Sequence, residues 1–200
     1  MKKNNQIETQ LLILDKAIPL FAKLGFSGVS MRNIADQVGI SAAALYHHYP
    51  DKQSLYLAAM ERAFADKALG ITESARQSGS AEDRLYAFVE SFTKLMANDH
   101  DFRTLFHREL LDGDENRLRL LADKVFGEAF KSMIELAKEL DPESDPHMLA
   151  ISLAGLVLFH FETAPVRRFL PGYLKKHANT KVITDHVYNL VSHLAINQNE

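Results

Sequence analysis

Residues 30–52 read Ser30-Met31-Arg32-Asn33-Ile34-Ala35-Asp36-Gln37-Val38-Gly39-Ile40-Ser41-Ala42-Ala43-Ala44-Leu45-Tyr46-His47-His48-Tyr49-Pro50-Asp51-Lys52. Two short helices with a tight turn between them fit this stretch. Ser30 suits an N-cap, because its hydroxyl can accept from the free backbone N–H groups of a first turn. Ile34, Ala35 and Val38 then share one helical face. Gly39 supplies the left-handed residue that ends a helix, and Ile40 fills the corner. Ser41 caps a second helix whose apolar face is Ala44, Leu45 and His48. Pro50 forbids another turn, and Asp51 opens the next helix. Helix, glycine turn, helix is a pattern that reads DNA; a plain helical hairpin shares it.

The residue types suit a DNA groove. Ala42, Ala43 and Ala44 make the second helix thin at its start, so that it can seat deep in a major groove and meet thymine methyls. Tyr46, His47, His48 and Lys52 can donate to phosphate. Lys52 stands in the first turn of the following helix, beside free N–H groups that also attract anions. Arg32 can bond guanine bidentately. Ser30, Met31 and Ser41, at the two helix starts, complete the candidate DNA-contact set.

Working outward, Ile13-Leu14, Ala17, Leu20-Phe21 and Gly25-Phe26 precede this stretch, and Leu55 follows it. Together with Met31-Arg32-Asn33-Ile34-Ala35, Val38-Gly39-Ile40-Ser41, Leu45-Tyr46-His47-His48-Tyr49 and Lys52, they resemble the TetR-type (TetR/AcrR) transcriptional regulators over residues 7–67. The family's usual pattern has Gly where this chain has Ala43, and often a polar or basic residue where it has Ala42. The resemblance implies a helix-turn-helix head, two C-terminal helices that form a homodimer, and a small-molecule effector bound in the helical body.

The bulk composition is that of an ordinary globular chain: 200 residues, 46% hydrophobic, no Cys. Without Cys there is no disulfide, thiolate nucleophile or Cys-based zinc site, which agrees with a cytoplasmic location. Lys2-Lys3 does not open a signal peptide, because Glu8 intervenes and Asp15-Lys16 interrupts the apolar residues. The apolar run at 148–159 is too short to span a bilayer. Net charge is −3, but residues 1–53 hold six Lys/Arg against four Asp/Glu, and the remainder carries the deficit. Local charge, not the total, governs phosphate affinity.

Helical spacing predicts about nine helices and no strand, an all-α chain with a three-helix head at 7–67 and a larger body at 68–200. The first helix, 6–24, carries Leu11, Leu14, Ile18 and Phe21 and stops at Gly25. A long helix from 51 to about 76 joins head to body, with Leu55, Ala59, Ala63, Phe64 and Ala68 inward. Ser80 and Asp83 mark a capping box for a helix over 81–98. Helices follow at 99–111, at 115–140 as one long rod, at 146–163 behind Asp145-Pro146, and at 180–196. The helix at 146–163 is apolar nearly all round and must be buried on every face. The last two long helices are the candidate dimer interface; a monomer with a larger core is the other way to use them. A twofold dimer would present two heads roughly 34 Å apart to a palindromic operator.

Phe64, Phe88, Phe92, Met96, Phe102, Phe106, Phe126, Phe130 and Met133 fall on inward faces. They form either core or an adaptable apolar cavity for an apolar or amphipathic ligand. His107, Glu109, His160 and Glu162 are polar residues on those faces that could orient such a ligand or be satisfied within the core. No metal-binding His-Glu-x-x-His run, nucleophile elbow or phosphate loop occurs, so no cofactor, metal or catalytic residue is expected. Three functions remain: a ligand-released homodimeric repressor, a non-sensing DNA-binding regulator with a solid body, and a helical enzyme or interaction protein.

Overall fold

The computed structural model describes residues 2–196, with side chains from residue 6 to residue 192 save Asp66. Residues 197–200 of the expected body, and the side chains of Lys2 and Lys3, lie outside the described residues. The chain is helical, with no strand among the described residues. In order it forms α1 (Lys2–Gly28), α2 (Met31–Val38), α3 (Ala42–His48), α4 (Lys52–Arg76), α5 (Ala81–Asn98), α6 (His100–Asp112) and α7 (Glu115–Leu121). A single π-helical turn (Ala122–Phe126) leads into α8 (Gly127–Leu140), followed by α9 (Pro146–Glu162), α10 (Ala164–Arg167), a 3₁₀ turn (Lys175–Ala178) and α11 (Thr180–Ile196).

Two compact units emerge, and neither is one continuous segment. The first comprises residues 1–66 and 100–125, the second residues 67–99 and 126–200. The division therefore differs from the expected 7–67 and 68–200: α6 packs along α1, which assigns α6 and α7 to the unit that holds the helix-turn-helix. Helix α4 contributes its first part to one unit and its second part to the other.

In the first unit, Ile13, Ala17 and Phe21 of α1 are fully buried with Ile34, Leu45, Leu55 and Phe64. This stripe is rotated from the expected one: Leu11 is exposed and Ile18 half-buried. Gly25 breaks the helical run with φ 72° and ψ 174°, so the residues after it turn towards α2. Arg62 and Asp15 pair at 2.8 Å and tie α4 to α1.

In the second unit, Leu85, Phe88, Val89 and Met96 of α5 share a core with Leu136 and Ala137 of α8, Leu153 and Val157 of α9, and Ile183 and Val187 of α11. Tyr86 Oη donates to Asp185 at 3.1 Å, fixing α5 against α11. Helix α9 departs from expectation. Ala150, Leu153 and Val157 are buried, but Met148 (62%), Ile151 (51%) and Phe159 (69%) are exposed on the single chain. Asp145 caps α9 by accepting from the Met148 N–H at 2.9 Å, with Pro146 in the first turn as expected.

Candidate nucleic-acid interface

Both short helices are fixed by local chemistry. Ser30 Oγ accepts from the Asn33 N–H at 3.1 Å while the Ser30 N–H donates to Asn33 Oδ1 at 3.2 Å. Each cap satisfies the other's donor, so α2 begins at a defined residue. Gly39 ends it at φ 79° and ψ 30°, its N–H donating to Ala35 O at 2.9 Å. A Cβ on Gly39 would meet nothing within 4 Å; the left-handed backbone alone demands glycine there. Ser41 Oγ accepts from the Ala44 N–H at 3.1 Å and starts α3. Asp51 caps α4 by accepting from the Ser54 N–H at 2.7 Å. That bond, with the Ser54 side chain, holds the Asp51 carboxyl below its ordinary range.

The inward face of the motif is Met31, Ile34, Ala35 and Leu45, all buried. The outward face carries Ser30, Arg32, Ser41, Ala43, Tyr46 and His47, all exposed, with Ala42, Ala44 and His48 half-buried. Arg32 forms no ion pair among the described residues. The rings of His47 and His48 lie 6.0 Å apart, and the buried Nδ1 of His48 has no hydrogen-bond partner among the described residues. The structure thus gathers most of the candidate DNA contacts on one open surface whose first turn on α3 is small.

Two of the candidates need correction. Met31 is 6% exposed, because the first turn of α2 needs an apolar anchor; its side chain belongs to the core. Lys52 does not offer its ammonium outward. Its Nζ donates to Phe26 O at 2.9 Å and Val29 O at 3.0 Å, and stands 4.4 Å from the centre of the Phe26 ring. The residues just before Ser30 leave carbonyls that lack helical partners, and Lys52 satisfies two of them.

Sequence reasoning also missed a buried polar network. Tyr56, 1% exposed, donates its hydroxyl to Glu109 Oε1 at 2.5 Å, and Arg117 Nε donates to Glu109 Oε2 at 2.9 Å. Glu109 and Arg117 are themselves buried. Arg117 also pairs with Asp112, and with Asp114 at 3.4 Å. Its guanidinium lies 4.9 Å from the Phe26 ring centre. The Tyr56 ring meets Phe21 and Phe26 edge-on at 4.7 and 5.1 Å. Burial, then the Glu109 carboxylate, push the Tyr56 hydroxyl far above its ordinary pKa, so it stays a donor. Nearby, Arg108 donates to the carbonyls of Ala22 and Lys23 at the end of α1, at 2.9 and 3.0 Å. The only sequence hint was Glu109, read as a possible ligand-orienting group; its two oxygens are instead taken by Tyr56 and Arg117.

The ligand-lining candidates divide between the units. In the first, buried Phe64 lies 4.5 Å from Phe102, which stacks on half-buried Phe106 at 6.3 Å. His107 is exposed, which removes it from the inward face expected for it. In the second, Phe88 and Phe92 stack at 6.0 Å. Met96 and Met133 are buried; Phe126, Phe130 and Glu162 are half-buried. The Phe130 ring meets His147 at 5.1 Å. His160 Nδ1 lies 2.9 Å from an Arg167 nitrogen, and its ring 5.8 Å from that of His186. Burial, then Arg167, then His186 hold the His160 imidazole below its ordinary pKa. On α5, Thr93 is fully buried and its hydroxyl has no hydrogen-bond partner among the described residues. A recess of about 90 Å³ in this unit is lined by Leu140, Asp141, Leu149, Ser152, Leu153, Leu156 and Val191, none of them a candidate. Among the described residues no cluster of metal-ligating side chains occurs, and no helix is long and apolar enough to cross a membrane.

Comparison with known proteins bears on this geometry. Residues 13–59 match the sequence profile of the bacterial regulatory proteins of the tetR family. The chain is 28% identical over 156 residues to the HTH-type transcriptional activator FasR of Mycolicibacterium smegmatis, covering 78% of this chain and 69% of that protein. It is 34% identical over 80 residues to the negative transcriptional regulator IcaR of the Staphylococcus aureus icaADBC biofilm operon, 40% of this chain and 43% of IcaR. In fold it is similar to the regulator FadR of Bacillus subtilis in complex with stearoyl-CoA. The TM-score is 0.74, at 14% identity and over 91% of this chain and 97% of that one.

Proposed function

We propose that the chain is a TetR-type DNA-binding transcriptional regulator that acts as a homodimeric repressor of a palindromic operator, released by an amphipathic small molecule. The observation that carries the reading is the open face of α2 and α3. Its two helices have fixed starts, its first turn on α3 is small, and an uncommitted Arg32 stands beside it. Such a helix enters a major groove with Ala42 and Ala43 against base edges, while Tyr46 and His47 reach phosphates.

The dimer is supported by α9 and α11. Met148, Ile151 and Phe159 on α9, and Val182 and Leu190 on α11, are exposed on the single chain. Burying one such side chain fully contributes about 1.5–3 kcal/mol, so pairing these two helices with their copies covers the apolar side of α9. Two heads then occupy successive major grooves. The effector is amphipathic: aromatic and methionine side chains dominate the candidate lining, and the similar FadR holds stearoyl-CoA. Release follows if the effector binds one arrangement of the dimer better than the other, and the coupling equals that difference in affinity.

The test uses purified chain, a palindromic fragment from DNA flanking its gene, and fluorescence anisotropy. Tight binding that weakens steeply with salt, and that stearoyl-CoA reverses, supports the proposal. Binding that ignores stearoyl-CoA and shorter acyl-CoAs leaves a regulator without this effector, and absence of binding overturns the reading. The likeness to FasR over most of the chain favours activation as the second reading. Transcription in vitro separates the two by its sign.

A further inference from the structure

We propose that Glu109, with Tyr56 and Arg117, is a positioning device for the helix-turn-helix, acting through Phe26 on the turn that launches α2. The proposal deepens the DNA-binding reading and rests on it for the affinity part of its test. Phe26 stands four residues before Ser30, the cap that sets where α2 begins. Three groups hold it. Lys52 accounts for its carbonyl and one cation–ring contact, Arg117 for a second, and Tyr56 for an edge-on ring contact. Two of these three, Tyr56 and Arg117, are themselves held by the two oxygens of one buried carboxylate, Glu109.

The arrangement has a cost that asks for an explanation. A buried ion pair contributes little net stability over apolar packing. The same spot filled by Leu or Met would hold α6 against its neighbours without an arginine to neutralise. What the carboxylate adds is direction. It accepts from a hydroxyl on α4 and a guanidinium on α7 at once, so the three helices share one geometry. Loss of either donor leaves a buried oxygen unsatisfied, which is costly. Such a joint has two states, made or broken, rather than a continuum of loosened ones. When α6 is displaced, Glu109 leaves with it. Phe26 then keeps the Lys52 grip, while the Tyr56 ring and the Arg117 guanidinium against it lose the carboxylate that orients them, and the start of α2 loses its fixed position. The guanidinium fork of Arg117 matters as well, because Nε serves Glu109 while the remaining nitrogens face Asp112 and Asp114; a lysine there has no second arm.

The test is hydrogen–deuterium exchange of the full-length chain without DNA, comparing wild type with Tyr56→Phe, Glu109→Gln and Arg117→Lys. Tyr56→Phe removes one hydroxyl and keeps the ring, so it is the variant least able to unfold the protein. In it, the amides of residues 25–34 exchange about tenfold faster or more, as expected when a hydrogen bond to a charged group is lost, while α5 and α11 keep their wild-type rates. Glu109→Gln and Arg117→Lys accelerate the same amides. On DNA, all three lower affinity for the operator with the salt slope unchanged, because no phosphate contact is removed. Exchange at 25–34 that stays at the wild-type rate in Tyr56→Phe overturns the proposal. So does acceleration spread evenly over both units, which would mark a merely structural bond. A wild-type chain that binds no operator would defeat the DNA-binding reading while leaving the exchange result to decide the joint.

Discussion

Lys52 donates its ammonium to the carbonyl of Phe26 at 2.9 Å and lies 4.4 Å from the centre of that residue's ring. One side chain on α4 thus holds both the backbone and the ring of the residue that leads into the helix-turn-helix. A lysine placed where it could reach DNA is turned inward to close the end of α1.

Replacing Lys52 by Met is expected to lower the stability of the chain by about 1–3 kcal/mol, because two carbonyls lose their donor in a half-buried place. DNA affinity falls with it, but the slope of log affinity against log salt stays at the wild-type value. Thermal denaturation and salt-titrated anisotropy read the two effects. A slope flatter by about one unit would make Lys52 a phosphate contact after all.

Arg32→Ala gives the opposite pattern. The side chain is exposed and, among the described residues, pairs with no carboxylate, so stability is expected to change little, within about 0.5 kcal/mol. Discrimination between operator variants should fall by about 1–3 kcal/mol at the base pair that the guanidinium reads. Competition binding across single-base operator variants measures it. Equal loss on every variant would assign Arg32 to the phosphates.

Gly39→Ala is expected to destabilise the protein by about 1–2 kcal/mol, through the left-handed backbone and not through crowding. Gly39→Asn should recover part of the loss, since Asn tolerates that conformation. Denaturant titration of the three proteins gives the order Gly, Asn, Ala. An alanine variant as stable as wild type would show that the turn can relax to negative φ.

His160 gives the chain a pH dependence of known sign. Its folded pKa lies below the ordinary 6.5, so the folded chain resists protonation more than the unfolded chain does. The contribution is full above pH 6.5 and declines as pH falls from there towards the folded pKa. His160→Gln should therefore show a smaller drop in melting midpoint between pH 7 and pH 5 than wild type. Parallel curves for the two proteins would move the effect to other histidines.

Much of the fold was legible because the deciding signals are local. Residue type marks Ser30, Ser41, Ser80 and Asp145 as caps, and each accepts from the backbone N–H three residues on. Gly39 after an apolar-periodic run signals a left-handed terminator, and it is one. What escaped is nonlocal or a matter of phase. Tyr56 is 53 residues from Glu109, and Glu109 and Arg117 stand on different helices; nothing beside any one of them announces the other two. Helical spacing puts Leu11, Leu14, Ile18 and Phe21 on the stripe of α1; Leu14 and Phe21 are buried, but Ile13 and Ala17 take the places expected for Leu11 and Ile18. The spacing over residues 115–140 predicts one long helix, yet a π turn occupies residues 122–126. Leu121, Val125, Ala129, Met133 and Ala137 are all buried at steps of four. That spacing outruns the 3.6-residue turn, and one wider turn lets the stripe keep facing the same way. Of the surface proposed to meet DNA, the small residues and Arg32 were foreseeable from type. The inward turn of Lys52 was not, since its partners are backbone carbonyls more than twenty residues earlier.

The interleaving of the two compact units bears on any attempt to transplant this DNA-reading part onto another regulator. A chimera cut once, after residue 66, would carry Tyr56 and Phe26 without Glu109 and Arg117, and Ala22 and Lys23 without Arg108. The graft has to move as two pieces of chain, 1–66 and 100–125, spliced at separate junctions into a host.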